Sequence, residues 1–517
     1  MPQMKSSPFP FHPLAIAAYP VLALLAANIE EVDWRVALRP LLIALAAGAL
    51  LFVFLRLLLK DWHRAGLISS FLLLVFFSYG HVYGLLEKVP LFRLNLGRHR
   101  YLVVLYAAVL VIGLWLLLRR VKPPRSATRP LNILGLVLVV MPLVQITTSL
   151  VQSAAQQRET AVALSTASLV LQPGDAPLPD IYYIILDGHT RSDALQNDFN
   201  YDNSPFIEKL RSMGFYVADC SRSNYGYTQG SITAPLNLDY VDNLGSELAS
   251  LNVDEDIWIL LKQSRVRRML EAIGYKTVAF DTTYEWSRLS DADVYLSLGS
   301  ESSFLQLISP FEAMLIKSSA GLILTDSQSQ FIRAHFQQIN FPYSYHVNAQ
   351  RFILDQLPTI PDYPGPKFVF VHLLVPHVPF VFQANGEIWD DPRYYDGEKA
   401  MPSDSILIDE GYVNQVAFID QAITQVLEQI LAESTTPPII FMHGDHGWID
   451  QNRLQILNAF YLPGGDYAAL YPTISPVNGF RAIFNTVFGT NYERLPDISY
   501  DADHHPAPET SPQCLTP

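Results

Sequence analysis

The sequence predicts a two-part protein: an N-terminal bundle of transmembrane helices, then an α/β domain with a mostly parallel central sheet and helices on both faces. Three observations predict it. Long apolar runs crowd residues 1–153. Beyond them, short apolar strands alternate with amphipathic helical stretches, the pattern of parallel sheets with helical crossovers. Two of those strands end in similar polar turns, Asp187-Gly-His189 and Gly444-Asp-His-Gly447. The length, 517 residues, exceeds what one ordinary core organises.

Five runs approach the ~20 residues needed to cross a bilayer: Pro13–Asn28, Val36–Leu59, Leu67–Leu86, Tyr101–Leu118 and Pro130–Leu150. They follow one another directly, unlike a cleaved signal peptide. Basic residues in short connections mark the cytoplasmic side. Lys5, the pair Lys60 and Arg64, and the cluster Arg119, Arg120, Lys122, Arg125 and Arg129 place the N-terminus inside. The connection holding Lys88, Arg93, Arg98 and Arg100 runs against that pattern. Five spans then predict a multi-pass protein of the cell membrane whose C-terminal domain is extracytoplasmic. The expected boundaries are 1–153 for the membrane part, 154–179 for a polar, Pro-containing linker, 180–500 for the α/β domain and 501–517 for a flexible tail, with looseness setting in near Leu495.

The formal charge of −14 excludes a nucleic-acid partner, which rewards a basic surface. Two cysteines, Cys220 and Cys514, allow one intramolecular disulfide at most. Because Cys514 lies in a Pro-rich tail, both are read as free.

The strands are expected at Ile181–Leu186, Tyr275–Phe280, Phe368–Leu374 and Ile439–His443, and the helices at Pro205–Met213, Ile257–Ile273, Gln328–Gln338 and Val413–Ala432. Ligand sites of open parallel sheets lie at the carboxyl ends of strands. There the chain delivers Asp187, and later Asp445 beside His446, with Gly444 and Gly447 read as residues that let the backbone turn sharply. A carboxylate and an imidazole make a good metal-binding pair. Two carboxylates on one sheet edge repel unless a cation sits between them. The alternatives are a polar turn at Asp445 and a helix cap at Asp187. The stretch Asn224–Asn237 carries Thr228, Ser231 and Thr233 on a Gly-containing loop entering a helix, whose free N–H groups stabilise anions. A hydroxyl placed there beside a metal is a nucleophile; ordinary N-capping is the alternative, and composition does not choose among the three. A further strand ends in Leu374-Val-Pro-His377-Val-Pro379. His377 is positioned to neutralise a substrate oxygen or carry a proton, with His372 inside the strand as a weaker substrate-binding candidate.

Taken together, Asp187 after a strand, the hydroxyl loop, the Pro-His-x-Pro loop and Gly-Asp-His-Gly resemble, in residues and order, the alkaline phosphatase and sulfatase superfamily over Pro179 to Tyr500. With membrane spans in front, the chain is most similar to membrane-embedded transferases of the lipoteichoic acid synthase and phosphoethanolamine transferase kinds. The resemblance implies an alkaline-phosphatase-like fold and one divalent metal ion (zinc, manganese or magnesium) held by Asp187, Thr228, Asp445 and His446. It implies Thr228 as nucleophile, since Thr228-Gln-Gly-Ser231 has the family's spacing, with Ser231 the alternative. Those transferases usually carry Glu where this chain has Asp187. Neither Thr228–Ile232 nor Cys220–Asn224 fits the C/S-x-P-x-R pattern from which sulfatases make formylglycine. A second metal would need Asp281, His377 and His504 or His505, whose spacing does not match.

The function so implied is a membrane-anchored, metal-dependent transfer of a phospho-head group through a phospho-threonine intermediate on the outer face of the membrane. Membrane lipids or lipid-linked envelope glycans are the expected substrates. The alternatives are a phosphodiesterase or phosphatase, a sulfuric ester hydrolase, and a non-catalytic membrane scaffold.

Overall fold

A computed structural model of the chain describes residues 8–29, 32–87, 90–91, 94–95, 98–121, 125–165, 171, 177–247, 253–282, 284–298, 308–325, 343–395, 401–448, 452–501 and 505–507. It divides into two units, Met1–Ala154 with Phe304–Tyr345, and Ala155–Ser303 with His346–Pro517.

The first unit holds α1 (His12–Ala27), α2 (Leu38–Leu59), α3 (Trp62–Glu87), α4 (His99–Arg119) and, as far as Ala154, α5 (Arg125–Ser165). All five expected apolar runs are helical, and four of the helices are long and apolar enough to cross a membrane. The first is shorter: 16 residues at about 1.5 Å each span roughly 24 Å. The break between α2 and α3 is written locally. Lys60 ends α2 in the left-handed region at φ 58°, and the Asp61 carboxylate accepts the N–H groups of His63 and Arg64 at 2.9 and 3.2 Å. Several polar side chains inside the bundle are paired, which lowers their cost in an apolar solvent. Asn132 accepts the backbone N–H of His12 at 3.1 Å, the His12 ring bonds Ser70 at 2.6 Å, and His63 bonds Thr128 at 2.7 Å. The short helix Pro310–Lys317 also belongs to this unit. A Ser309–Glu312 capping box opens it, and Glu312 accepts Arg39 Nε of α2 at 2.6 Å.

The second unit is built on a seven-stranded sheet: β1 (Ile181–Leu186), β2 (Tyr216–Val217), β3 (Lys276–Phe280), β4 (Val294–Leu296), β5 (Lys367–Leu373), β6 (Ile439–Gly444) and β7 (Asn458–Tyr461). Their order is β2-β7-β6-β1-β5-β3-β4, with β6-β1-β5-β3-β4 parallel and, at one edge, β7 antiparallel to β6 and β2 antiparallel to β7. Every residue of β1, β5 and β6 is buried, so both faces of the central sheet are covered. Around it run α6 (Ser204–Ser212), α7 (Thr228–Asn237), α8 (Val253–Lys262), α9 (Arg265–Ala272), α10 (Ser344–Gln356), α11 (Ser405–Glu433) and α12 (Gly479–Phe488). On one face Phe480 of α12 packs edge-on against Tyr183 of β1 and Phe441 of β6, at 5.2 and 5.4 Å between ring centres. Burying such an aromatic contributes about 1.5–3 kcal/mol.

Three expectations are corrected. The single helix foreseen over Ile257–Ile273 is two, because Ser264 takes an extended conformation (φ −59°, ψ 148°) and Asn237 accepts the N–H of Arg265 at 3.2 Å. The C-terminal stretch is not loose from Leu495. Asp497 accepts from Ser475 Oγ (2.7 Å) and Asn478 (2.9 Å), and Tyr500 bonds the backbone of Asn224 (2.8 Å) and Gly226 (3.0 Å). Cys220 is disulfide-bonded rather than free. It is buried, 5% exposed with its N–H on Pro472 O; the chain's other cysteine, Cys514, lies outside the described residues. The helix expected at Gln328–Gln338 also lies outside them.

Candidate metal centre and active site

Parallel register brings the site together. Leu186, the last residue of β1, pairs with Leu373 of β5 on one side and Gly444 of β6 on the other. The residues that follow, Asp187 and Asp445, therefore leave the sheet at one level. The loops are stitched to each other: Asp187 N–H donates to Leu373 O, His377 N–H to Asp187 O, and Gly188 N–H to Asp445 Oδ1, at 2.9, 2.9 and 2.8 Å.

The two glycines flanking Asp445-His446 are required by space. Neither adopts positive φ. A Cβ on Gly444 would lie 2.2 Å from His189 O, and one on Gly447 2.6 Å from Asn452 O. The glycine that does need left-handed freedom is Gly188, at φ 78°.

At the centre, ligand atoms of Asp187, His377 and His446 all lie within 4.8 Å of one another. Asp187 Oδ1 is 3.7 Å and Asp445 Oδ2 3.5 Å from His446 Nε2, and neither oxygen has a hydrogen-bond partner although both are buried. The rings are oriented to leave Nε2 free. His446 Nδ1–H donates to Gly447 O at 2.9 Å and His377 Nδ1–H to Val378 O at 3.1 Å. His372, fully buried, brings its Nε2 to 3.4 Å from Asp187 Oδ2, so it braces that carboxylate from inside β5. Burial alone would raise the Asp187 carboxyl, but His377, His372 and His446 together hold it well below the usual carboxylate range. Burial lowers His446 in turn, against the pull of Asp445 and Asp187. Two buried carboxylates faced by imidazole lone pairs are costly when empty and well matched to a cation. The residues fit a divalent metal.

The three hydroxyls separate clearly. Ser231 is fully buried, donates to Tyr225 O and Tyr227 O at 2.8 and 3.0 Å and meets Ser223 Oγ at 2.8 Å, which makes it a brace of the loop. Thr233 is buried. Thr228, the first residue of α7, is half-buried, and its hydroxyl makes no hydrogen bond among the described residues. Asp281 is taken by Arg288 at 3.2 Å and His505 is exposed, so no second metal cluster forms among the described residues. His504 lies outside them.

Sequence reasoning missed His346 and Gln415. His346 stands in the first turn of α10, its Nε2 buried without a partner; burial, then the nearby His377, pushes it down to about 4, against Asp187. Its signal was a lone imidazole at a helix start. Gln415 of α11 clamps the His377 loop, donating to Pro376 O and His377 O at 3.0 and 2.8 Å and accepting from Val381 N–H at 2.9 Å. His443, within the motif, is structural: Tyr183 donates to its Nε2 at 2.9 Å, and burial pushes it down to about 4.

Comparison with known proteins adds the following. Among solved structures, the chain is similar to the periplasmic domain of EptC from Escherichia coli in complex with Zn (12% identity, 64% of this chain and 92% of that one, TM-score 0.41). It is also similar to the integral membrane lipooligosaccharide phosphoethanolamine transferase A of Neisseria meningitidis (11%, 92% and 95%, 0.38). A third is the lipoteichoic acid synthase LtaP of Listeria monocytogenes (12%, 63% and 77%, 0.36). No curated protein sequence matches the chain. The Sulfatase family model matches residues 179–471, more than half of the sequence and the whole stretch from β1 past Asp445-His446, and the chain belongs to that family.

Proposed function

We propose that this protein is a membrane-anchored, metal-dependent phosphotransferase that moves a phospho-head group through a phospho-threonine intermediate on the outer face of the membrane. The observation that carries the reading is the cluster of Asp187, Asp445 and His446: two buried carboxylate oxygens without hydrogen-bond partners, facing one imidazole nitrogen, at the ends of adjacent parallel strands. Asp187, Asp445, His446 and the Thr228 hydroxyl would hold one divalent ion, with His377 alongside. When bound, that ion supplies positive charge that lowers the hydroxyl pKa and stabilises charge developing on phosphoryl oxygens.

The chain's own groups do the rest. Thr228 Oγ forms a bond to phosphorus as the bond to the leaving oxygen breaks. His377, whose Nδ1–H donates to Val378 O and so leaves Nε2 as the ring's acceptor, takes the threonine proton and returns it to the leaving oxygen. An acceptor hydroxyl or water then releases the phospho group by the reverse sequence. Transfer and hydrolysis differ only in that acceptor. The free N–H groups at the start of α7 favour the negative charge. Formylglycine-type sulfate hydrolysis is disfavoured, since Cys220 is in a disulfide and Thr228 cannot be converted.

The side of the membrane follows from the basic connections, with α1 as a fifth, short span. It packs along α2 and α3, with Ala17 and Val21 fully buried, and bilayers adapt to a short span at modest cost. A disulfide fits an oxidising compartment. The membrane helices make a lipid or lipid-linked envelope molecule the expected substrate.

The test uses the full chain in detergent: bound metal is measured, and turnover of bis-p-nitrophenyl phosphate, p-nitrophenyl phosphate and p-nitrophenyl sulfate is compared with Thr228→Ala and Asp445→Asn. Metal-dependent phosphoester turnover lost in both variants supports the reading. Full turnover in Thr228→Ala refutes the intermediate, turnover of sulfate alone reassigns the chemistry, and a folded protein with neither metal nor turnover is a scaffold.

A further inference from the structure

Between β4 and α10 the chain changes character. Residues 308–325 carry one acidic and one basic side chain, Glu312 and Lys317, and are otherwise apolar, small or hydroxylated, in a chain whose net charge is −14. They form two short helices, Pro310–Lys317 and Leu322–Thr325, of 8 and 4 residues. At about 1.5 Å per residue neither can cross a bilayer. Yet the segment belongs to the membrane unit, not to the α/β unit whose sequence it interrupts.

Its docking is specific. Phe311 is buried in a cluster with Val21 and Leu25 of α1 and Ile146 of α5. Glu312, also buried, takes Arg39 of α2 through both Nε and Nη2. The Ala320 N–H donates to Phe76 O of α3 at 2.8 Å. A Cβ on Gly80 would stand 2.1 Å from Lys317 O and 2.5 Å from the carbonyl carbon of Ser318, so α3 carries a glycine where this backbone lies against it. The partners sit in the C-terminal halves of α1 and α3 and the first turn of α2, which alternating spans bring to one side of the membrane. What the docking leaves outside is apolar: Met314, Ile323 and Leu324 are 36–39% exposed, beside exposed Phe76 and with Lys317 among them.

We propose that residues 308–325 are an in-plane membrane anchor, seated on the end of the bundle with Met314, Ile323 and Leu324 against the acyl chains of a phospholipid leaflet and Lys317 at its phosphates. The chain is then tied to the bilayer twice, through α5 and through a segment inside the α/β domain's own sequence. Lipid is the partner because the exposed face continues the outer surface of α3, a helix long and apolar enough to span. Short amphipathic helices with a basic edge lie in such interfaces, the lysine stem following the apolar surface and its ammonium reaching water. The one buried acid is neutralised by an arginine, as that depth demands. The leaflet is the one on the side of the α/β domain, since the segment follows the last span in the chain. None of this depends on the chemistry proposed for Asp187 and Thr228.

Two measurements on the full chain in vesicles of phosphatidylethanolamine and phosphatidylglycerol test it. Nitroxides are placed by Met314→Cys and Leu324→Cys, with Glu433→Cys at the exposed end of α11 as reference. Power saturation compares relaxation by oxygen, which concentrates in lipid, with relaxation by a water-soluble nickel chelate. Oxygen should dominate at 314 and 324 and the chelate at 433. A chelate-dominated signal at all three makes the face water-exposed, and a face reached by neither reagent is covered by protein; each result overturns the inference. For the second measurement, a protease site is introduced within residues 166–176 and cut. The fragment carrying the α/β domain should stay with the vesicles through a high-salt wash, and Phe311→Ala combined with Glu312→Gln should raise the released share severalfold. Release of the cut wild type, or equal retention of the cut variant, overturns the second attachment. The nitroxide positions lie on the surface, so their readout decides the matter even where the double variant unfolds.

Discussion

Gly444→Ala tests why the turn that presents Asp445 and His446 is where it is. The new methyl group would stand 2.2 Å from the backbone oxygen of His189 and 3.1 Å from its carbonyl carbon, where ordinary contact begins at 3.4 Å. Neither atom belongs to a flexible side chain, so β6 or the Gly188–Thr190 turn must move. Each is pinned: Gly444 N–H donates to Leu457 O at 2.9 Å and His189 O accepts Leu457 N–H at 3.3 Å. Overpacking of this kind costs about 1–3 kcal/mol, and loosening one hydrogen bond adds about 1 kcal/mol. A total near 3 kcal/mol lowers the melting temperature by roughly 4–5 °C in a domain of about 320 residues. Because the displaced segments carry Asp445 and Gly188, metal affinity should fall as well. Gly188→Ala is the contrast. Its Cβ would sit at a comfortable 3.6 Å from His377, and the cost is only the left-handed backbone, about 1–2 kcal/mol. Thermal unfolding with metal titration reads both. A Gly444→Ala protein that melts with wild type and keeps its metal refutes the close approach, and with it the reason given for glycine in this motif.

Other expectations follow from the same geometry. Thr228→Ala should abolish turnover with no change in melting temperature, while Ser231→Ala, which removes a buried hydroxyl bonded to two carbonyls, should lower stability by about 1–3 kcal/mol; reversed effects would exchange their roles. Chelation should lower the melting temperature, since an ion present at 100 times its Kd stabilises by about 2.7 kcal/mol, and adding zinc or manganese should restore it; no response would remove the metal from the site. Asp180→Asn probes pH. Burial holds the Asp180 carboxyl above its ordinary range against pairing with Lys367. A raised acid contributes stability that is complete below its unfolded value and lost as pH rises through the folded one. The melting-temperature difference should therefore shift in favour of Asp180→Asn between about pH 4 and neutrality, and an opposite trend in calorimetry would contradict the raised value.

The acids of the site were legible because each terminates an unbroken apolar run, and a fully buried parallel strand must end where its polar residues begin. Asp187 and Asp445 announce themselves that way, and parallel pairing does the rest by levelling the strand ends. His346 and Gln415 carry no such mark. Each is a single polar residue on an amphipathic helix, and its role depends on which distant segment crosses it: His377 and the Pro376–Val381 loop. Local pattern holds nothing of those crossings. The same limit hid the break at Ser264, since the apolar period runs on through it, and the role of Gly444, since a sequence shows that a side chain is absent but not whether conformation or room demands it. Cys220, read as free from sequence and found in a disulfide, falls under the same limit. The composition of a tail does not report its order: Asp497 is tied to Ser475 and Asn478, and Tyr500 to the loop that leads to Thr228.

The strand that carries Asp187 also supplies the comparison that separates an active site from a polar corner. At the opening of β1, Asp180 meets the Lys367 ammonium at 3.0 Å and accepts the Lys367 N–H at 3.0 Å, while that ammonium also donates to Tyr363 O at 2.7 Å. This is how a fold neutralises an acid it means to bury: an opposite fixed charge, with the remaining valences on backbone. At the other end of the same strand, Asp187 is more completely enclosed and receives no lysine or arginine. It is given three imidazoles that need not carry charge, and it faces a second buried carboxylate with an unbonded oxygen. A scaffold under selection for stability alone would have settled both ends alike, because an uncompensated buried charge costs several kcal/mol. The asymmetry makes sense when a cation arrives from outside the chain, and it arises on the one edge of the sheet where parallel topology opens a crevice for ligands.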